Sequence, residues 1–460
     1  MLGVKTMKLK NGIAYRVIGN TCVLIMTDEG KMYFLNETAG KILGMIDNGL
    51  SKTKIIRDIS EEYCVTSDVI DKDYDQIINQ FREMGVIDSD IDNPVNESSV
   101  SNIPSNDSFR GDLKSYCQEN FIPLQCFIEL TYNCNLKCKH CYVPSYNAKN
   151  FRLDMNHYKR LLDELSTMGC LEIILTGGEV LLYPKWLEIC EYARKLRFSV
   201  VIKTNGTLLT NKVISDLRKL NITEVQVSLY SMNPEVHDNF VQCSNSHEKT
   251  ISALQEMYQV GQSCRISCVV TMSNYKFLYG LKEFAHSINS PIGFDLIVTR
   301  QIDSKDTPLS ERLTSEALNW LDKNGVMSDI IFEGSQQING PKEFEGLIEY
   351  PSTENSSPIC GAANTMMAID YSGEVRPCIT FPITIGNIIE KSLREIWWDN
   401  KEEASNIRKL RNHDFIECSG CKYVKACPRC IATIYQETGN PVGKAYFICQ
   451  TAEYHYKYGE

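Results

Sequence analysis

The sequence of 460 residues has no long uninterrupted run of apolar residues and no excess of positive charge. Its first stretch, MLGVKTMKLKNG, lacks the apolar core of a secretory signal, and no later window has the length and hydropathy of a membrane span. The formal net charge of -10 argues against a nucleic-acid partner, because phosphate binding needs a basic face. We therefore expect a soluble, cytoplasmic protein that binds neither membranes nor nucleic acid.

Cysteine, by contrast, is abundant, with nineteen residues in the chain. In a reducing compartment, cysteines serve as metal ligands or small buried side chains more often than as disulfides. Ten of them fall into clusters with the spacing of metal ligands. The other nine stand mostly in apolar strand or helix contexts, so we predict that they are core residues: Cys22, Cys64, Cys117, Cys126, Cys170, Cys190, Cys243, Cys264 and Cys268.

The first cluster follows an apolar, β-rich segment within residues 124–142, LQCFIELTYNCNLKCKHCY. Cys134, Cys138 and Cys141 form a C-x3-C-x2-C pattern on the loop after this predicted strand. Three thiolates can bind a cubane iron-sulfur cluster and leave its fourth iron without a protein ligand. An iron with an open position can bind S-adenosylmethionine (SAM) and reduce its sulfonium, which yields a carbon radical. A zinc loop that lacks one ligand is the alternative interpretation.

The cysteine loop resembles that of the radical SAM superfamily, with His140 where the family usually has an aromatic residue. Strands and helices alternate from Phe121 to about Asn324, which predicts a parallel sheet with crossover helices. Six such units indicate an α/β fold built on a partial (β/α)6 TIM barrel, whose reactive groups collect where the strands end. The six predicted strands are LQCFIEL, LEIILT, FSVVIKT, EVQVSLY, CRISCVVT and FDLIVT.

Polar motifs end several of these strands, in the order found in radical SAM proteins. By this resemblance, the Gly-Gly-Glu motif after the second strand holds the methionyl ammonium of SAM. Polar side chains on the third, fourth and fifth strands contact the ribose or the methionyl carboxylate. The resulting candidates for cofactor binding are His140, Gly177, Gly178, Glu179, Thr204, Asn205, Ser228 and Ser267.

The fourth strand carries the candidate catalytic residue, Tyr230, which faces either the substrate or the protein core. Farther along, Val241 and Gln242 stand where many family members have Arg-Gly. A role for an arginine at that point therefore does not transfer to this chain.

The amino-terminal region, residues 1–88, reads as three short strands followed by three amphipathic helices, Glu37–Asp47, Lys52–Tyr63 and Ser67–Met84. This winged-helix pattern resembles the leader-binding domain (RiPP recognition element) of peptide-maturing enzymes, named for the peptide chaperone of pyrroloquinoline quinone synthesis. The resemblance implies that a precursor's leader pairs with the edge strand Lys31–Asn36, which is β-augmentation. The implied helix contacts are Tyr74, Ile77, Ile78 and Phe81.

A winged-helix DNA reader is the alternative for this region. Four aspartates near the start of the third helix would place negative charge against the phosphate backbone of DNA and repel it. These residues are Asp68, Asp71, Asp73 and Asp75.

Two segments lack periodic apolar residues. Residues 89–112 are rich in Ser, Asn, Asp and Pro, which predicts a flexible linker with a span of about 27 Å. Residues 325–358 include the polar run PSTENSSP and are interpreted as a bridging segment without chemistry. The remaining domains are then the radical SAM barrel at 113–324 and a carboxy-terminal domain at 359–460.

The carboxy-terminal domain holds seven cysteines in a pattern that resembles the SPASM extension, which carries two auxiliary 4Fe-4S clusters. Its spacing departs from the commoner pattern at one point, with two residues instead of three between Cys427 and Cys430. By resemblance, Cys418, Cys421, Cys427 and Cys449 bind the outer cluster. The inner cluster takes Cys360, Cys378 and Cys430, and no cysteine between Cys268 and Cys360 completes it. Structural zinc is the alternative interpretation.

These patterns predict a radical SAM enzyme with three 4Fe-4S clusters that matures a ribosomally made peptide. The string CGAANTMMAIDYSGEVRPC resembles the enzymes that form sulfur-to-carbon thioether links in sactipeptides. The fourth iron of the inner cluster takes a non-cysteine group or solvent, or it is open and binds a substrate cysteine that supplies the sulfur. Flavodoxin or ferredoxin would supply electrons. A maturase that forms carbon-carbon links is the alternative enzyme, and a metal-stabilised winged-helix regulator is the alternative of another class.

Overall fold

The computed structural model describes residues 7–87, 107–144, 152–332, 357–399 and 402–458. The chain divides into two compact units, one from Met1 to Tyr116 and one from Cys117 to Glu460. We call them the amino-terminal unit and the barrel unit. Residues 88–106 of the predicted linker region and residues 333–356 of the predicted bridging segment lie outside the described residues.

The amino-terminal unit has the predicted order of elements. Strands β1 (Ile13–Ile18), β2 (Thr21–Met26) and β3 (Lys31–Asn36) form an antiparallel sheet, in which β3 pairs with β2 alone. Helix α1 begins after Asn36, whose side chain accepts a hydrogen bond from the Ala39 amide and caps the helix. The helices are α1 (Glu37–Asp47), α2 (Lys52–Tyr63) and α3 (Ser67–Glu83).

The apolar face of α3 corrects one expectation about the leader. Tyr74, Ile78 and Phe81 are each no more than 2% exposed and pack in the core of this unit. They face inward because α3 must bury its apolar stripe against the small sheet and the other helices. Ile77 alone among the four expected contact residues is only partly buried.

The last part of the predicted linker is helical. Helix α4 spans Asp107–Glu119, so residues 107–112 belong to a helix rather than to a coil. Its Cys117 is fully buried, as expected. Seven of the nine cysteines predicted to be core residues are buried, whereas Cys64 is exposed and Cys243 is half-buried.

The barrel unit contains six parallel strands. Five lie at the predicted positions, and the sixth, predicted as FDLIVT at residues 294–299, begins earlier and overlaps that segment only at Phe294 and Asp295. The six strands lie side by side in chain order: β4 (Gln125–Thr131), β5 (Glu172–Gly177), β6 (Ser199–Thr204), β7 (Glu224–Ser228), β8 (Cys264–Val269) and β9 (Ile292–Asp295). Their long apolar runs follow from burial on both faces. The helices of this region are α5 (Met155–Thr167), α6 (Trp186–Lys195), α7 (Asn211–Lys219), α8 (Pro234–Val241), α9 (Ser246–Val260), α10 (Leu281–Ser287) and α11 (Ser315–Lys323).

The carboxy-terminal segment extends the same sheet. Strand β10 (Met366–Ile369) pairs with β4 in parallel, and β11 (Glu374–Arg376) and β12 (Gly386–Asn387) follow antiparallel. The complete order is β12-β11-β10-β4-β5-β6-β7-β8-β9. The predicted partial barrel is therefore confirmed, and its first edge is covered by residues from the far end of the chain. The last helices are α12 (Leu393–Trp398), α13 (Glu402–Lys409), α14 (Ile431–Thr438) and α15 (Tyr446–Tyr458).

The two faces of the barrel sheet differ in chemistry. The outer face and the helices form one large apolar core. The inner face has a small apolar layer of Phe127, Ile174, Val201 and Ala368, and polar side chains lie above and below it. Among the described residues, no helix is both long and apolar enough to cross a membrane.

Candidate active site

The three cysteines of the first cluster lie on one cavity of about 430 Å³ at the carboxyl ends of the barrel strands, which we call the central cavity. Cys134, Cys138 and Cys141 interact electrostatically with one another there. Burial raises the pKa of Cys134 to about 11 and the pKa of Cys138 well above its usual value. These thiols therefore need a nearby positive charge, such as that of a metal, to become thiolates.

The cysteine loop is held by backbone hydrogen bonds that it donates to α8. The amides of Lys137 and Lys139 donate to the carbonyls of Val241 and Phe240, at 3.0 and 3.2 Å. The thiol sulfur of Cys134 also accepts from the Leu136 amide at 3.4 Å. The loop is thus fixed at several points by the protein itself.

Gly177 and Gly178, at the end of β5, lie against the backbone of this loop. A Cβ on Gly177 would lie 2.3 Å from the carbonyl oxygen of Thr131, and a Cβ on Gly178 would lie 2.3 Å from that of Asn133. The Gly178 amide donates to the Thr131 carbonyl at 2.6 Å. The glycines therefore allow the loop backbone to approach β5, in addition to lining the cavity beside the cysteines.

Glu179 is engaged within the protein. Its carboxylate is fully buried, is absent from the cavity lining, and accepts hydrogen bonds from the Thr204 hydroxyl at 2.7 Å, the Asn205 amide at 2.9 Å and the Leu181 amide at 3.2 Å. It joins the end of β5 to the end of β6. The expectation that Glu179 contacts SAM stays a prediction.

Asn205 and Thr204 are also engaged within the protein. The Asn205 side-chain amide donates to the Asn135 side chain at 3.0 Å, and its oxygen accepts from the Thr207 hydroxyl at 2.6 Å. The same amide lies 3.9 Å from the sulfur of Cys134. Both residues line the cavity, and they brace the cysteine loop.

His140 belongs to an aromatic group behind the loop. Its ring stacks on Phe240 with centroids 5.0 Å apart and meets the edge of Tyr230 at 5.2 Å. Burial lowers the pKa of His140 to about 4, so the ring is neutral at pH 7. Its Nδ1 atom is buried without a hydrogen-bond partner. Tyr230 itself is 5% exposed, and it lines the cavity with Ser228 and Ser267.

The seven carboxy-terminal cysteines separate into the two expected groups. Cys360 and Cys378 interact electrostatically with Cys430, and we call these three the inner group. The outer group is Cys418, Cys421, Cys427 and Cys449, which interact with one another. Cys430 also lines the central cavity, so the inner group borders the same space as the loop cysteines.

The donor set fits iron-sulfur clusters in type and number. Within the part of the chain that the structure describes, no three His, Cys, Asp or Glu side chains are arranged to hold a single metal ion. A cubane instead offers four irons, each of which takes its own soft thiolate ligand. The loop cysteines and the inner group supply three thiols each, and the outer group supplies four.

A buried ion pair connects the cysteine loop with the carboxy-terminal segment. Glu129 on β4 and Arg376 on β11 are fully buried and paired. Glu129 also accepts from the Tyr142 hydroxyl at 2.8 Å, next to Cys141. Arg376 donates to the carbonyl of Ile379, which lines the cavity, at 3.1 Å. The pair therefore fixes both walls of the cavity to one another.

Sequence reasoning missed three polar residues on the inner barrel wall, Lys203, Gln226 and Asp295. They lie on β6, β7 and β9 and line the central cavity. The alternation of side chains along each strand could have identified them, because a charged residue inside an apolar strand must face either solvent or a polar interior. A second cavity, of about 660 Å³, shares no residue with the central one and contains none of the predicted motifs.

Comparison with known families identifies the domains. A model of the radical SAM superfamily matches residues 128–276. The chain contains a radical SAM domain. A model of coenzyme PQQ synthesis protein D (PqqD) matches residues 21–87, and a model of the SPASM iron-sulfur cluster-binding domain matches residues 360–430. The cofactors of the radical SAM and SPASM domains are 4Fe-4S clusters and SAM.

Curated relatives of this radical SAM protein act on different molecules. The AdoMet-dependent heme synthase of Methanosarcina barkeri is 29% identical over 68% of this chain and 92% of that protein. The subtilosin biosynthesis protein AlbA of Bacillus subtilis is 29% identical over 60% of each chain. Mycofactocin maturase MftC of Mycolicibacterium smegmatis is 28% identical over 65% of this chain and 75% of that protein.

Solved structures share the fold. SuiB from Streptococcus suis, bound to its precursor peptide SuiA, superposes with a TM-score of 0.61 at 18% identity. The match covers 96% of this chain and 100% of that chain. The fold of this chain therefore has a structural counterpart over 96% of its length.

Proposed function

We propose that this radical SAM protein matures a ribosomally made precursor peptide by forming sulfur-to-carbon thioether links. The observation that carries the proposal is the central cavity, which has the loop cysteines on one side and Cys430 of the inner group on the other. A peptide in this space would reach both a radical source and a second cluster.

The cysteines divide among three proposed 4Fe-4S clusters. The loop cysteines hold the cluster that binds SAM, and the inner and outer groups hold the auxiliary clusters. When bound, the first cluster and SAM supply a 5'-deoxyadenosyl radical, and the auxiliary clusters supply thiolate binding and electron transfer. Flavodoxin or ferredoxin is the proposed source of electrons.

The protein's own residues orient the cofactors and exclude water. Gly177, Gly178 and Asn205 form the wall beside the loop cysteines, and Ser228 and Ser267 present hydroxyls for the ribose. The neutral ring of His140 and its aromatic neighbours close the side behind the loop. A dry, fixed wall protects a carbon radical from quenching and holds the reacting groups in line.

The thioether is favoured over a carbon-carbon link by two observations. AlbA, a biosynthesis protein of the bacteriocin subtilosin, is among the relatives at 29% identity. In addition, the inner group offers three thiols for a cluster that can take four thiolates. A cysteine of the substrate is the proposed fourth, which would bring its sulfur to the cavity.

The PqqD domain is the proposed leader-binding site. Strand β3 has an edge that no strand of the described residues covers, and its Tyr33 and Phe34 are half-buried. A leader that adds as a fourth strand would gain main-chain hydrogen bonds there. Because Tyr74, Ile78 and Phe81 are buried, Ile77 is the remaining candidate contact on α3.

The test is anaerobic turnover with SAM, dithionite and a short cysteine-containing precursor peptide, to be sought in the reading frames beside this gene. We expect 5'-deoxyadenosine, a peptide that has lost two hydrogens per link, and the loss of one free thiol per link. The triple variant Cys134→Ala/Cys138→Ala/Cys141→Ala is the control and should form neither product. A crosslinked peptide that keeps all its free thiols would instead support a carbon-carbon link and overturn the thioether proposal.

A further inference from the structure

Lys203 is the one lysine or arginine that lines the central cavity, within the ranges that the structure describes. It precedes Thr204 on β6, and its ammonium lies 5.4 Å from the centroid of the Phe127 ring on the inner face of the barrel. Neighbouring cavity residues include Gln226 and Asp295. The position is therefore at the floor of the cavity, below the candidate SAM-binding motifs.

The ammonium group of Lys203 has unused donors. It makes no hydrogen bond and no ion pair within 4.0 Å to any part of the chain that the structure covers. Three carboxylates act on it only at longer range, those of Glu172, Glu224 and Asp295. A desolvated ammonium with three free N–H groups is costly unless a ligand pairs with it.

Each nearby carboxylate is engaged elsewhere. Glu224 pairs with Arg265 at 3.1 Å. Glu172 accepts from the Gln125 side chain at 2.7 Å. Asp295 accepts from the amide of Ile297 at 2.8 Å. The protein therefore does not neutralise Lys203 by direct contact.

We propose that Lys203 binds a carboxylate inside the central cavity, and this inference rests on the use of that cavity proposed above. Two sources can supply the group: the methionyl carboxylate of SAM or a carboxylate of the precursor peptide. Either would accept charge-assisted hydrogen bonds from the ammonium in a poorly hydrated place, where such bonds are strong. Sequence reasoning assigned this task to uncharged polar groups alone, so Lys203 adds the charged partner.

The first arm of the test measures equilibrium binding of SAM to anaerobically reconstituted protein, by calorimetry, for Lys203→Met, Lys203→Gln and Lys203→Arg. If the carboxylate belongs to SAM, Lys203→Met and Lys203→Gln raise the Kd of SAM about tenfold to a hundredfold. Lys203→Arg keeps the charge and should recover part of the affinity. The matched control is Lys195→Met, a lysine at the end of α6 that does not line the cavity, which should leave the Kd unchanged.

The second arm measures precursor turnover at saturating SAM. If the carboxylate belongs to the peptide, Lys203→Gln leaves SAM binding intact but raises KM for the precursor about tenfold to a hundredfold. In that case, cleavage of SAM without peptide stays at the wild-type rate. Thermal unfolding of each variant checks the fold, and Lys203→Gln serves if Lys203→Met does not fold.

One outcome overturns the inference: SAM affinity and the KM of the precursor both unchanged in folded Lys203→Gln. Failure of the proposed function looks different. It would appear in the wild-type protein, as cleavage of SAM without thioether formation, whereas the effect of Lys203 on SAM binding could still be measured.

Discussion

The loop cysteines and the outer group differ in what holds them. Cys134, Cys138 and Cys141 follow a central strand and are fixed by α8, the glycine pair and Asn205. Three of the outer cysteines lie around a short 3-10 turn, Ile416–Cys418, and on an irregular stretch before α14, and Cys421 is exposed. The fourth, Cys449, lies on α15. We expect from this difference that the barrel preforms its site, whereas the outer region depends more on its metal for order.

The largest expected difference is in catalysis. Cys138→Ala should reduce formation of 5'-deoxyadenosine below detection, because it removes a ligand of the cluster that reduces SAM. Cys421→Ala removes an equivalent thiol from the outer group, which does not line the central cavity. The Cys421→Ala protein should retain most of the SAM cleavage that is measured without peptide. Loss of that cleavage in a well-folded Cys421→Ala protein would contradict the independence of the two regions.

Removal of iron should reduce local order in the outer region much more than in the cysteine loop. When a chelator strips the protein under anaerobic conditions, we expect amide hydrogen exchange to increase strongly in residues 416–449. Residues 124–142 should change much less, because the backbone bonds of the cysteine loop do not involve metal. Equal loss of protection in both segments would show that the cysteine loop also needs its cluster to order.

The buried pair of Glu129 and Arg376 should matter more than any surface ion pair. Removing one partner, as in Arg376→Met, leaves a buried charge and should cost about 3–5 kcal/mol of unfolding free energy. The double variant Glu129→Gln/Arg376→Met should recover much of that loss. Lys212→Met, which breaks an exposed pair with Asp216, should cost less than about 1 kcal/mol. Urea unfolding monitored by fluorescence measures all three, and a harmless Arg376→Met would contradict the structural role of the pair.

Glycines in the two regions offer a finer comparison. Gly178→Ala would place a Cβ 2.3 Å from the Asn133 carbonyl oxygen, and this clash should cost about 1–3 kcal/mol and disturb SAM cleavage. Gly420 lies in the outer region with a φ of +89°, and no atom lies within 4 Å of the place that a Cβ would take there. Its alanine variant should cost only the backbone strain, roughly 1–2 kcal/mol, and should leave SAM cleavage unchanged. Thermal unfolding and the 5'-deoxyadenosine assay test both variants.

The regular elements of both units were predictable because local signals agree with the packing. Asn36 caps α1, and the apolar runs of β4 to β8 lie at the predicted positions. Strands β10 to β12 were not predicted, since they are two to four residues long and owe their pairing to the exposed edge of β4. No periodic pattern can mark a segment that short.

The site was predictable in its cysteines but less so in its polar residues. Spacing alone located the loop cysteines, and the resemblance to known families divided the other seven into the groups that the structure brings together. The hydrogen bonds of Glu179 within the chain were not predicted, because a motif does not tell whether a carboxylate faces a ligand or neighbouring backbone amides. Lys203 was missed because its role depends on the register of six strands, which fixes the residues that share the inner wall.

The smallest expected effect concerns Glu172 at the base of the barrel. Burial raises the pKa of this carboxyl to about 7, above its usual value of 4.5. The folded state therefore holds a proton that the unfolded chain has lost, so stability should fall as pH rises from about 4.5 to 7 and stay level above that. Glu172→Gln mimics the protonated form, and its stability relative to the wild type should improve by roughly 2 kcal/mol between pH 5.5 and pH 8. Urea midpoints at the two pH values measure this, with exposed Glu248→Gln on α9 as the control. A difference in stability between Glu172→Gln and the wild type that does not change with pH would mean that Glu172 is already ionised in the folded barrel. The contrast between the barrel and the outer region would then rest on the backbone hydrogen bonds of the cysteine loop alone.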